Sequence, residues 1–254
     1  MDSLKFNFKK ILHSCCEENV TSDTDQQKGF PMPDPQAEVP EGTELIKLVH
    51  LGAFSIGDFP VRDAIESRAS IREYKDLPVS FEALSYLLWA TQGVREVNVH
   101  PKGKGITTFR TVPSAGARHS FETRILVNRV SELKQGLYHY MPIGHKIYME
   151  KPGRDITVSI NNACFGQFIT NCAAAFIWTA VPYRMEWRYG ARRSPKLIAI
   201  DAGHVCQNLY IAAESIRLGV CALGAYNQEK MDEAIGVDGE EEFVIYLATV
   251  GLVK

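Results

Sequence analysis

The chain has 254 residues, 45% of them hydrophobic and 23% charged, with 28 basic against 30 acidic side chains and a formal net charge of −2. This composition gives a globular protein with a core of useful size, in one large domain or two small ones. The charge balance excludes a global field that would gather nucleic acid or an anionic membrane. No apolar run reaches the about 18 residues of a membrane span, and the N-terminal run is too short for a signal peptide. The expectation is therefore a cytoplasmic protein with neither nucleic-acid nor membrane partners. Cysteines at 15, 16, 164, 172, 206 and 221 show neither zinc-site pairing nor the density of a disulfide scaffold. Three of them, Cys172, Cys206 and Cys221, lie in apolar runs and read as small core residues.

Residues 1–57 lack regular periodicity. Pro31, Pro33, Pro35 and Pro40 deny this stretch helical and ladder hydrogen bonds, which predicts an extended or partly disordered arm docking through 45–49. Regular structure is expected from residue 58. Residues 59–67 read as a helix with Pro60 in its first turn. Residues 81–92 read as a second helix, capped by Ser80, striped by Leu84, Leu87, Leu88 and Thr91, and ended by Gly93. The stretch 95–111 reads as a loop whose Lys102, Gly103, Lys104 and Gly105 lack P-loop spacing.

Strands are predicted at 124–130, 136–140 and 145–149, the last two forming a hairpin through 141–144. A helix at 156–172, a buried strand at 173–181, a polar arginine-rich connection at 182–195 and a closing strand at 242–252 complete the outline. The main helix is placed at 202–218. Val205, Leu209, Ala212 and Ile216 form one apolar face, with Cys206, Tyr210 and Ala213 beside it. Asp201 reads as its N-cap and Gly219 as its C-terminal stop. The small residues at 220–225 then suit a backbone lying against something flat. Interleaved strands and helices with one hairpin give an α+β sandwich around a central sheet.

Two stretches carry candidate chemistry. Arg68 and Arg72 flank Ser70; if the turn stays helical they share a face and form a fork for phosphate or an anionic ring edge. With Glu66 and Glu73 adjacent, the same residues also read as a charge-balanced surface turn. At Pro113, Ser114, Ala115 and Gly116, small residues after a proline admit a planar ligand, or simply form a loop into the next strand. His119 and His204 have no second ligand at zinc-site spacing, so no metal site is read.

In order, the segments RASIREYKDLPVSFEALSYLLWATQGV, TVPSAGARHSFETRILV, GLYHY, WRYGARR, DAGHVCQNLYIAAE and LGVCALGAY resemble the nitroreductase superfamily of flavoproteins. Within it, they are most similar to the branch of SagB-type and azoline-oxidising dehydrogenases. The likeness runs from about Pro60 to the C-terminus, dividing the chain into the arm, 1–57, and an FMN-binding domain, 58–254. It implies a nitroreductase-like three-layer α/β/α sandwich, with a mostly antiparallel central sheet and helices on both faces. It further implies a homodimer with two FMN sites at the interface, moving hydride through flavin N5 from NADH or NADPH to a small organic acceptor.

By position, Arg68, Ala69, Ser70 and Arg72 would hold the flavin phosphate, ribityl chain and pyrimidine edge. Pro113, Ser114, Ala115 and Gly116 would approach the same flavin from the other subunit. Leu223, Gly224 and Ala225 would lie along the ring, and Gln167 falls in a segment that contacts flavin in relatives. Arg188 and Tyr189 stand where azoline-oxidising members carry a Lys-Tyr pair. Arginine is too basic to act as a general base, which turns the reading away from azoline oxidation and leaves Tyr189 as an acid/base candidate. Leu252 stands where relatives often carry a basic residue, so Lys254, or Arg68 and Arg72 alone, would meet the phosphate. Two alternatives stay open: a flavin-binding protein without turnover, and a peptide-azoline dehydrogenase within a peptide-maturation complex.

Overall fold

Side-chain alternation along two central strands sets the architecture of the computed structural model, which describes residues 24–101 and 105–254. In β7 (Ala174–Ala180), Phe176 and Trp178 enter one core cluster while Ala175 and Ile177 enter another. In β4 (Phe121–Val127), Ile125 and Val127 separate in the same way from Leu126. Strands buried on both faces need a layer on each side.

The helices supply those layers. On the first face α3 (Phe81–Gln92) packs on α6 (Ser194–Ser215), bringing Leu84, Leu87 and Leu88 together with Val205 and Leu209. On the second, α4 (Asp155–Ala163) packs on α7 (Gln228–Ile235) through Ile156, Ile160, Met231 and Ile235. Between them lies a seven-stranded sheet in the order β1-β6-β5-β4-β7-β9-β8, every named pairing antiparallel. Its other strands are β1 (Ile46–Lys47), β5 (Gly136–Met141), β6 (Lys146–Pro152), β8 (Leu218–Leu223) and β9 (Phe243–Leu252). The three-layer α+β sandwich is the one expected. Among the described residues no helix is long and apolar enough to cross a membrane.

Of the arm, residues 1–23, with Cys15 and Cys16, lie outside the described residues. From Thr24 the chain forms a short helix α1 (Asp25–Lys28), and Ile46 and Lys47, inside the expected docking stretch, pair with Ile147 and Lys146 at the sheet edge. Helix α2 (Val61–Ser67) starts two residues later than expected, with Pro60 as its N-cap. Ser80 accepts the Ala83 N–H at the start of α3, and Gly93 caps its end, both as read from sequence.

Several expectations are corrected. The stretch 95–111 is mostly a two-stranded antiparallel ribbon, β2 (Val94–Val99) and β3 (Ile106–Arg110), whose alternating Val97, Val99 and Phe109 are exposed. The helix predicted over 156–172 ends at Ala163, because Phe165, Gly166 and Phe168 take positive φ. The polar connection at 182–195 contains α5 (Tyr183–Tyr189), which buries Met185 and Trp187. α6 begins eight residues earlier than predicted, with Pro195 in its first turn, so Asp201 lies inside the helix and is no N-cap. It ends at Ser215, so Gly219 is no helix stop; Gly219 sits in β8 opposite Gly251. A Cβ on Gly219 would lie 2.7 Å from Ile71 Cβ, and one on Gly251 would lie 2.8 Å from the Tyr74 ring. The facing glycines form a trough that lets residues 70–75 cross the sheet end. α7, capped by Asn227, was not expected.

Candidate functional site

The extended backbone after α2 shapes the first cluster. Arg68 leaves the helix at φ −51, ψ 124, so the helical fork of Arg68 and Arg72 does not form. Ser70 instead bridges Val220 in parallel, and the Ile71 N–H donates to the Val220 carbonyl at 2.8 Å. Along an extended chain, residues two apart share a side. Ile71 turns down onto Gly219, and Arg68, Ser70 and Arg72 share the other side.

Tyr210 of α6 anchors that side. Its hydroxyl accepts the Ala222 N–H at 2.9 Å and bonds the Ser70 hydroxyl at 3.0 Å, and the Arg68 guanidinium sits 5.4 Å from its ring centroid. Arg72 donates to the Ser70 carbonyl at 3.4 Å and lies beside Cys221, whose thiol is pushed up by burial and partly pulled back by that cation. Among the described residues neither Arg68 nor Arg72 pairs with a carboxylate; Glu73 bonds Lys254 at 3.3 Å instead. The charge-balanced turn is therefore not what forms. β8 then delivers Leu223, followed by Gly224 and Ala225. Space beside Gly224 is open, and Gln167 donates to the Ala225 carbonyl at 3.4 Å.

Asp201 organises the second cluster. Its buried carboxylate accepts the Ala115 N–H at 3.2 Å and holds a 3-10 turn, Ala115–Ala117. Burial raises the Asp201 pKa, against the Ser114 hydroxyl and Ala115 N–H, which lower it. Ser114 also accepts the His119 N–H at 2.9 Å. Gly116, at φ 57, has no room for a side chain: a Cβ there would lie 2.6 Å from the Tyr189 hydroxyl and 2.8 Å from Arg188 Nε. The structure thus joins the 113–116 turn to Arg188 and Tyr189. The Arg188 guanidinium sits 5.8 Å from the Tyr189 ring centroid.

A cavity of about 1280 Å³ opens beside this turn, bounded by β2, β3, α5 and residues 26–32 of the arm. The arm is tied there by Trp187 Nε1 to the Phe30 carbonyl at 3.0 Å and Arg110 Nη2 to the Pro35 carbonyl at 2.6 Å. Arg118 lines it, 6% exposed, with its guanidinium 5.3 Å from the Trp187 ring centroid. Burial, then the neighbouring Arg188, lowers the pKa of Arg118.

Asp201 and Tyr210 are nine residues apart on α6, roughly 13 Å at 1.5 Å per residue, so the two clusters sit at separate places along a single helix. Asp201, Tyr210, Arg118 and Trp187 were missed as site residues. The available signal was a polar atom placed on a helix face otherwise apolar. Burial, with Arg110 and Arg118 nearby, pushes His119 down to about 2, and His204 is exposed. Among the described residues no three His, Cys, Asp or Glu side chains gather as metal ligands.

The family model described as the nitroreductase family matches residues 65–252. The candidate nitroreductase MJ1384 of Methanocaldococcus jannaschii is 29% identical over 199 residues, covering 77% of this chain and 92% of that protein. The crystal structure of a candidate nitroreductase from Ralstonia eutropha superposes with a TM-score of 0.65 at 22% identity, over 88% of this chain and 97% of that one. A chain of the E. coli microcin synthetase McbBCD complex superposes with a TM-score of 0.60 at 16% identity, over 86% and 84%.

Proposed function

The chain belongs to the nitroreductase family, and from that premise we propose an FMN-dependent oxidoreductase that passes hydride from NADH or NADPH to a small organic acceptor. The observation that carries this reading is the exposed side formed by Arg68, Ser70 and Arg72, whose guanidinium groups have no carboxylate partner among the described residues. Such donors fit a phosphate and an anionic ring edge. The open space at Gly224 fits a flat ring close to the backbone. Bound FMN supplies a ring that takes up and returns hydride at N5.

The chain's own residues hold and orient. Arg68 and Arg72 meet the phosphate and pyrimidine edge, Ser70 the ribityl hydroxyls with Ala69 beside it, and Leu223 to Ala225 the ring, with Gln167 bracing Ala225. Tyr189, against Gly116, gives a proton to the reduced product. A homodimer would bring Pro113 to Gly116 of one subunit to the Arg68 cluster of the other. The separation of the clusters on α6 and the exposed Val61, Ile65 and Ile200 support that arrangement. We read 58–254 as the flavin domain and 1–57 as an arm added to it. Among the described residues four buried, unpaired cysteines suit a reducing cytoplasm.

A second reading, an azoline dehydrogenase of a peptide-maturation complex, draws on the fold shared with the microcin synthetase chain. Arg188 speaks against it, since a guanidinium stands where the azoline-oxidising members carry a lysine, and arginine is a poor general base. The test of the main reading is flavin released from purified protein. The parent should carry FMN, and Arg72→Ala should lose most of it while its unfolding free energy by urea titration changes by less than about 0.5 kcal/mol, as for other surface changes. Equal occupancy in the two proteins would remove the assignment.

A further inference from the structure

We propose that the cavity between the 113–118 turn, α5 and the β2–β3 ribbon binds an organic anion, a carboxylate carried on a flat aromatic body. The inference rests on the reductase reading only for what becomes of the ligand, since binding is derived from the cavity itself.

The lining is one-sided in charge. Arg95, Arg118 and Arg188 reach it, with Arg110 behind them, and among the described residues no Asp or Glu does, in a chain whose acids outnumber its bases. None of the three forms an ion pair among the described residues. Arg118 is the decisive one. Its Nε donates to the Gly116 carbonyl at 3.2 Å and its Nη2 to Thr107 at 3.3 Å, while Nη1 has no acceptor among the described residues. That donor is not closed off within the protein, so it opens to the cavity, where a ligand oxygen can take the place of water. Arg188 adds a second positive charge close by, so an anion between the two would remove a repulsion as well as fill a donor.

The remaining walls are aromatic. Phe30 and Phe109 stay exposed at the cavity, and the Trp187 ring lies under Arg118. Exposed aromatic faces beside unpaired guanidinium groups match a ligand that is flat and apolar with one charged end. A neutral aromatic would cover the walls and leave Nη1 dry. A nicotinamide dinucleotide also joins a flat ring to an anion, but its phosphates lie many bonds from the ring, whereas here the free donor sits directly over the aromatic wall.

Calorimetric titration of the full chain, without electron donor, with 4-nitrobenzoate and its neutral isostere 4-nitrobenzamide tests this. The parent should bind the benzoate about tenfold more tightly or better, the scale of one hydrogen bond to a charged group. Arg118→Gln should erase the preference. Should that buried substitution disturb folding, the exposed rim substitution Arg95→Gln should weaken the benzoate about twofold and leave the amide unchanged. Equal affinities in the parent, or a preference that survives both substitutions, would overturn the proposal. So would displacement of the benzoate by NADPH and not by NADH, which would give the cations to a dinucleotide phosphate. A benzoate preference in a protein that carries no flavin leaves the proposal standing and removes the reductase reading. A flavin that donors reduce, without the preference, does the reverse.

Discussion

On the sheet face that carries Leu126 and Leu137, the charged side chains of β4 and β5 have counterparts of opposite sign. Glu122 takes Arg184 and His139, whose other ring nitrogen bonds Glu150 at 2.9 Å, and Arg124 joins Glu150 to Glu242. At the cavity and along the Arg68 side the arginines form no ion pair among the described residues. Both regions hold buried arginines, yet in the first they face carboxylates and in the second they remain available. The first therefore belongs to stability and strand pairing, the second to a ligand.

The largest break in that contrast would come from opening the ion-paired network. Glu122→Ala leaves Arg184 and His139 buried without their shared acid, and should cost about 3–5 kcal/mol of unfolding free energy by urea titration. A loss under about 1 kcal/mol would mean the network adds nothing to stability.

His139→Gln should cost on the order of 1.5–3 kcal/mol and give the network a pH signature. Burial alone would lower the His139 pKa, but Glu122 and Glu150 outweigh it and raise it. A raised histidine contributes its stability fully below the unfolded value of about 6.5 and loses it as pH rises through the folded pKa. For Glu122 and Glu150, burial raises, yet His139 with Arg184 or Arg124 brings each net below the usual carboxylate range. Their share is present above the unfolded value of about 4.3 and lost as pH falls. The gap in urea midpoint between parent and His139→Gln should be widest between about pH 4.5 and 6.5 and close toward pH 9. A gap independent of pH would contradict the charged pairing.

The smallest of these effects sharpens the other side. Gly219→Ala forces a Cβ against Ile71 and should cost about 1–3 kcal/mol. Because Ile71 sets the line of Arg68, Ser70 and Arg72, flavin occupancy should fall with it; unchanged occupancy would separate the trough from the site.

What the sequence made legible was local or periodic. Helix 81–92 carries its own cap at Ser80, its own stripe and its own stop at Gly93, and all three stand. β7 reads from an uninterrupted apolar run because both its faces are covered. Arg68, Ser70 and Arg72 were singled out, but on a helical turn, since nothing local reveals that Val220 captures Ser70 into an extended bridge. Gly219 looked like a helix stop because its reason, Ile71, lies about 150 residues away in the chain. Asp201 looked like a cap for the same cause, its partner being Ala115. The β2–β3 ribbon was hidden by Arg95 and Glu96, which break its short alternation.

The most direct measurement is the visible absorption spectrum of protein purified without added flavin, followed anaerobically through additions of NADPH and NADH. The account predicts flavin bands that bleach with at least one donor. Bands that persist with both, or no bands even after FMN is supplied, would contradict it.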